Sequence, residues 1–296
     1  MSSEIVRVTA SVPEETRQQT QTDEKLIDLW VHGRSPATVR AYRAEVARFR
    51  KFVRKPLSEV TLGDIQSFAD ALEHESLAAA SRHRCLSAVK SLSSFATKIG
   101  YLRYDVARPL KLPVLRDRLA ERILSEGEVS QMLARERHPR DHVLLSLLYA
   151  TAVRVSEACS LKWRDVQERS GGMGQITVLG KGGKTNTILV PAVVWQKLVT
   201  LRGDASEDGA VFRSRKGRHL HPTQVRRIVR RAARRAGIDK PVSPHWLRHA
   251  SASHALDRGA PIHVVQQTLA HASVATTGRY LHVRPGQSAG SFLDLK

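Results

Sequence analysis

Cysteine is nearly missing from this chain of 296 residues, which has only Cys85 and Cys159. Neither belongs to a C-x-x-C pair, which excludes a disulfide framework and a zinc knuckle. Both fall in helical patterns and read as core fillers. Long apolar runs are missing as well: no stretch approaches the ~20 residues of a spanning helix. The opening MSSEIVRVTASVPEETRQQ also lacks the apolar core of a signal peptide. The expectation is a soluble, cytoplasmic protein with no membrane partner. No internal repeat or low-complexity segment is present. Acidic residues are scarce, 28 Asp and Glu against 48 Lys and Arg, for a net charge of +20 and a pI near 10.7. A field of that sign attracts polyanions, nucleic acid before an anionic membrane.

The length suits two packed units. Residues 1–21 are polar and aperiodic and read as a flexible tail. Residues 22–105 read as a small helical bundle. Ser35-Pro36 supplies an N-cap and an N1 proline, and Val39, Tyr42, Val46, Phe49 and Val53 recur at helical spacing. Arg40, Arg43, Arg50 and Lys51 lie between them as a basic outer face. Thr61 with Asp64 caps a helix reaching about Glu75, and Cys85, Val89, Leu92 and Ala96 mark another that stops near Gly100. Residues 106–121, with two prolines in RPLKLPVLRDRLA, suit an extended linker.

Residues 122–296 form the second unit. Ser125 and Glu128 make a capping box, and a nearly all-apolar helix from about Arg140 to Ala150 should be buried. In QITVLGKGGKTNTILVP, β-branched residues flank a glycine turn, the pattern of a hairpin. From Pro222 the pattern is helical again, broken at Gly237, Gly259 and Pro261. The fold class is therefore mainly α with a small antiparallel β-sheet.

Four patches could carry chemistry. Arg154 follows the buried helix, although Glu157 at i+3 offers it an ordinary surface ion pair. Lys181 sits in the hairpin turn, where lysines are commonly just solvated; the turn lacks the pattern of a nucleotide-binding P-loop. His245, Arg248 and His249 share a helix face after Ser243-Pro244. The two histidines stand at the i, i+4 spacing of a metal site, but the glutamate of a zinc-protease helix is missing, as is a third ligand. They could instead be satisfied core histidines. His271 lies near a turn, and Tyr280, nine residues on, could pack or react. Taken together, two arginines, a lysine, two histidines and a tyrosine are what phosphodiester transfer without a metal requires. Guanidinium groups neutralise the pentacoordinate transition state, a lysine protonates the departing 5′ oxygen, and a tyrosine attacks phosphorus.

R-x-S-E, the lysine in a hairpin turn, H-x-L-R-H, and a histidine followed nine residues later by tyrosine resemble the tyrosine recombinases of the phage integrase family. The likeness runs from about residue 22 to 283. The resemblance implies a SAM-like core-binding bundle followed by a tyrosine-recombinase catalytic domain. It implies that Arg154 and Arg248 clamp the scissile phosphate, that His245 and His271 complete its hydrogen bonding, and that Lys181 is the general acid. Tyr280 would be the nucleophile, joined to the 3′ phosphate, with Glu157 orienting the basic groups. No ATP, cofactor or divalent ion should be needed. Two positions depart from the pattern: Ala152 and Ala270 stand where the family commonly has glycine. If either needs a positive φ, alanine there costs about 1 kcal/mol.

The expected partner is double-stranded DNA. In VRRIVRRAARRA, Arg226, Arg230 and Arg234 form one helical stripe, with Arg227, Arg231 and Arg235 beside it. Arg213, Arg215, Lys216 and Arg218 extend the positive field. On the bundle, Arg40, Arg43, Arg82, Arg84 and Lys90 are the candidate contacts, completing a C-shaped clamp. Phosphate contacts should dominate, so binding should fall steeply with salt. The resemblance further implies a tetramer on two DNA sites, with Phe292, Leu293 and Leu295 docking on a neighbouring subunit or on their own. With few residues before the bundle, an Xer-like layout is expected over that of lambda integrase. The rival functions are type IB topoisomerase-like relaxation, separable by a plasmid-relaxation assay, and a DNA-binding regulator disabled by the two alanines, which would form no covalent adduct.

Overall fold

The computed structural model describes residues 22–180, 183–271 and 273–281. The tail 1–21, Lys181 and the apolar segment around Phe292 lie outside the described residues. The chain divides into two units, one ending at Arg116 and the other beginning at Asp117.

Among the described residues, four helices build the first unit: α1 (Asp23–Val31), α2 (Pro36–Val53), α3 (Leu62–His74) and α4 (Ala79–Lys98). Their starts follow from local chemistry. Thr22 accepts from the Lys25 N–H, Ser35 from that of Thr38, and Thr61 with Asp64 forms a reciprocal capping box. Their apolar faces meet in one core, in which Leu26, Val46, Phe49, Phe68, Leu86 and Val89 are buried. Phe49 and Phe68 pack edge to face at 5.1 Å. Of the segment expected as a linker, Ala107 and Leu110 bury in this core and Leu119 in that of the second unit.

The second unit is built around α6 (Pro139–Thr151), which follows α5 (Glu126–Ala134). Val143, Leu144, Leu145, Leu147 and Leu148 are all buried, so α6 has almost no face left for water. It packs against α8 (Ala192–Arg202) and α10 (Pro244–Asp257), while α7 (Val155–Ser160) follows it directly. The expected hairpin is β2 (Gly174–Leu179) paired with β3 (Thr185–Val190), Ile176 opposite Ile188. A third strand, β1 (Val166–Glu168), adds to β2. Three residues are too few for alternation to register in a sequence, so this strand goes unseen there. Gly174 is required by packing: a Cβ there would lie 2.0 Å from the Trp195 ring of α8. The basic helix α9 (Pro222–Arg235) precedes α10, and two short helices, α11 (Ile262–Thr268) and α12 (Val274–Gly278), follow it. No described helix is long and apolar enough to cross a membrane.

Candidate active site

The site begins where α6 stops. Ala152 takes the left-handed conformation, φ 51°, and turns the chain so that Arg154 becomes the N-cap of α7. There the Arg154 N–H donates to Glu157 Oε2 at 2.7 Å, and its Nη1 donates to Oε1 at 2.7 Å. The i+3 ion pair therefore exists, and buried Glu157 holds Arg154 from both its backbone and its side chain. The hairpin approaches this corner at the start of its turn, because a Cβ on Gly180 would stand 3.9 Å from Glu157 Oε1.

Arg248 lies on α10 and is only 5% exposed. One of its Nη atoms donates to the carbonyl of Ala152 and the other to that of Leu269. Guanidinium has five N–H donors in a rigid fork, so the rest stay available for an anion. Burial first, then the neighbouring Arg154 charge, pulls its pKa down to about 10, against the opposing pull of Glu157. The two carbonyls come from two separate loops. One leads to Arg154; the other leads through Ala270, at φ 45°, to His271. His271 pairs through Nδ1 with Thr277 Oγ1 at 2.9 Å.

Both alanines thus occupy left-handed conformations that glycine adopts without penalty. Ala152→Gly and Ala270→Gly are each expected to raise the unfolding free energy by up to about 1 kcal/mol, measured as a higher urea midpoint at unchanged slope.

Tyr280 follows α12, is 5% exposed, and shares a hydrogen bond of 2.8 Å with His249 Nδ1. Burial raises its pKa, and the Arg248 and Arg279 charges oppose that rise. His245 is exposed on the first turn of α10, its ring 5.4 Å from that of His249. Although the residue keeps an exposed face, partial desolvation by its neighbours, followed by the charges of Arg248, Arg154, Arg122 and Arg226, lowers its pKa. Burial and adjoining cations bring His249 and His271 down to about 4 each. The structure thus gathers Arg154, His245, Arg248, His271 and Tyr280. Among the described residues no three His, Cys, Asp or Glu side chains gather to hold a metal ion.

The depressed imidazoles make a prediction. Between about 4 and their ordinary 6.5 the unfolded chain binds more protons than the folded one, so their contribution to stability is full above pH 6.5 and is lost towards pH 4. Urea unfolding should show lower stability at pH 5 than at pH 7, and the gap should shrink in a protein carrying His249→Asn and His271→Asn.

Three groups were not legible as site residues. His249 belongs to a visible motif, but its pairing with Tyr280 crosses 31 positions. Arg122, in the 3-10 turn Ala120–Arg122, and Arg279, ion-paired with Asp117 at 2.8 Å, add positive charge near the histidines.

The expected DNA-contacting residues divide by their surroundings. Arg226, Arg227, Arg230 and Arg234 are exposed on α9 and have no ion pair among the described residues, whereas Arg231 lies 3.7 Å from Asp141 and Arg235 pairs with Glu136. Arg227, Arg230, Arg231, Arg234 and Arg235 border a groove of about 990 Å³ together with exposed Arg215 and Lys216, whereas Arg226 and exposed Arg213 lie outside its lining. On the bundle Arg40 is exposed; Arg43 pairs with Asp28, Arg82 with Glu73, and Arg84 with Glu45 at 2.7 Å. Lys90 donates to the carbonyls of Arg108 and Leu110, tying that segment to α4.

The family model described as the phage integrase family matches residues 122–287, and that of its N-terminal SAM-like domain matches residues 26–100. Tyrosine recombinase XerC of Corynebacterium efficiens is 35% identical over 263 residues, 86% of this chain and 83% of that protein. Tyrosine recombinase XerD of Mycobacterium tuberculosis is 34% identical, covering 82% and 86%. In fold, the chain is similar to a lambda integrase tetramer bound to a Holliday junction, with TM-score 0.72, 20% identity and coverage of 93% and 81%. It is likewise similar to the XerH recombinase bound to difH substrate, with TM-score 0.69, 19% identity and coverage of 93% and 88%.

Proposed function

Because this chain belongs to the phage integrase family and is a tyrosine recombinase, a DNA cleaving and rejoining enzyme, we propose that Tyr280 is its nucleophile and that Arg154 and Arg248 clamp the scissile phosphate. The phenolic oxygen attacks phosphorus, the bond to the 5′ oxygen breaks, and the 3′ phosphate stays on Tyr280 as a diester. That diester keeps the energy of the DNA linkage, so a 5′ hydroxyl from a partner strand reverses the step. His245 and His271, neutral near pH 7, donate hydrogen bonds to the phosphate. Lys181 protonates the departing oxygen, and Glu157 orients Arg154.

The observation that carries this reading is the burial of Arg248 between the carbonyls of Ala152 and Leu269. One guanidinium ties together the two loops that present Arg154 and His271, so a phosphate bound at its free edge meets all three. A preorganised cation of this kind stabilises charge as it develops in the transition state. Helix α9 and the loop before it supply phosphate contacts that hold duplex DNA beside the site. Exchange between two duplexes cuts four strands, and with one nucleophile per chain that chemistry calls for a homotetramer on two sites.

The test is incubation with a nicked suicide duplex, selected from a random-sequence pool by binding to the protein. A DNA-protein species that survives denaturant is expected. Binding without that species would overturn the assignment.

A further inference from the structure

The roles above account for the phosphate and the leaving oxygen but leave open where the nucleophile's own proton goes. Oxygen–phosphorus bond formation requires Tyr280 to lose it, and both burial and a raised pKa make spontaneous loss unfavourable. Among the described residues, the hydroxyl has one hydrogen-bond partner, His249 Nδ1, at 2.8 Å. The other imidazoles are placed for different work. His271 Nδ1 is engaged by Thr277, and His245 is the exposed member on the first turn of α10. His249 stands one turn further along α10, its ring 5.8 Å from that of Tyr280.

We propose that His249 orients the Tyr280 hydroxyl and accepts its proton through Nδ1 as the oxygen attacks phosphorus. This rests on the reading of Tyr280 as the nucleophile. The step balances: the Tyr280 O–P bond forms, the P–O5′ bond breaks, the phenolic proton moves to Nδ1, and the general acid protonates the 5′ oxygen. By microscopic reversibility the same imidazolium returns its proton when a 5′ hydroxyl displaces the tyrosine. The environment provides the starting state. His249 is neutral because it is partly buried and because His245, Arg248, Arg122 and Arg279 face it from α10, the 3-10 turn and the segment carrying Tyr280. A neutral ring carrying its proton on Nε2 presents a lone pair at Nδ1. Arrival of an anionic phosphate offsets those cations and raises the basicity of His249 when the transfer takes place.

The experiment uses single-turnover cleavage of the nicked duplex and religation of the isolated adduct. His249→Asn leaves an amide near Nδ1 but no titrating base; it is expected to slow both directions by about 10²-fold or more while DNA binding is retained. The defect should persist on a duplex with sulfur at the bridging 5′ position, whose thiolate departs without a proton. His249→Gln is the second variant should Asn fail to fold, and in His249→Ala added imidazole should restore part of the rate. Normal rates in the Asn or Gln variant would overturn the proposal, as would rescue by bridging sulfur. An adduct that persists in Tyr280→Phe would instead overturn the reading of the nucleophile, and the proposal with it.

Discussion

A Tyr280→Phe protein is expected to bind duplex DNA as the unaltered chain does and to yield no covalent product, a loss on the order of 10⁴-fold or more in single-turnover cleavage. Phenylalanine keeps the buried ring in the core of the second unit and removes only the oxygen. The structural cost is therefore small: the lost hydrogen bond leaves His249 Nδ1 in a half-buried position without its partner, worth about 1 kcal/mol. Gel-shift binding and denaturing electrophoresis of the same samples separate the two properties. Cleavage retained by the Phe protein would place the nucleophile elsewhere.

Arg248→Lys should be the second most damaging change, although it preserves charge. A lysine ammonium is a point donor and cannot span the carbonyls of Ala152 and Leu269 while also presenting a flat edge to a phosphate. One buried carbonyl at least loses its donor, at about 1–3 kcal/mol. The loops leading to Arg154 and His271 lose their common anchor. Cleavage is expected to fall by about 10²–10³-fold, and the urea midpoint should fall with it. Because the charge is kept and α9 is untouched, the salt dependence of DNA binding should stay as it was. A variant that cleaves normally would show that the fork is a strut and nothing more.

Much of the fold could be read locally. The capping boxes at Thr61 and Ser125, the proline starts at Pro36, Pro222 and Pro244, and the apolar run of α6 all state their structure within a turn or two of chain. The β2–β3 hairpin is equally local. Strand β1 is not, because three residues form a strand only when β2 lies alongside. The role of Gly174 is also invisible in the chain, because the constraint on it is the ring of Trp195 from another element. Among the basic residues, Arg226 and Arg231 look equivalent in sequence, yet only Arg231 has a carboxylate within reach, that of Asp141 on α6.

What the sequence by itself determined is the inventory and its order: a strongly cationic chain, the helices with their caps, and the residues fit for phosphoryl transfer. Its departures at Ala152 and Ala270 were visible there too. Tertiary structure alone decided that both alanines sit at positive φ, that Arg248 is buried with two carbonyls, and that His249 is the imidazole facing Tyr280. The physical reason is range. Helix capping and side-chain periodicity act over three or four residues, whereas Arg248 reaches Ala152 across 96 positions and His249 reaches Tyr280 across 31. Such meetings depend on how the α6–α10 core packs.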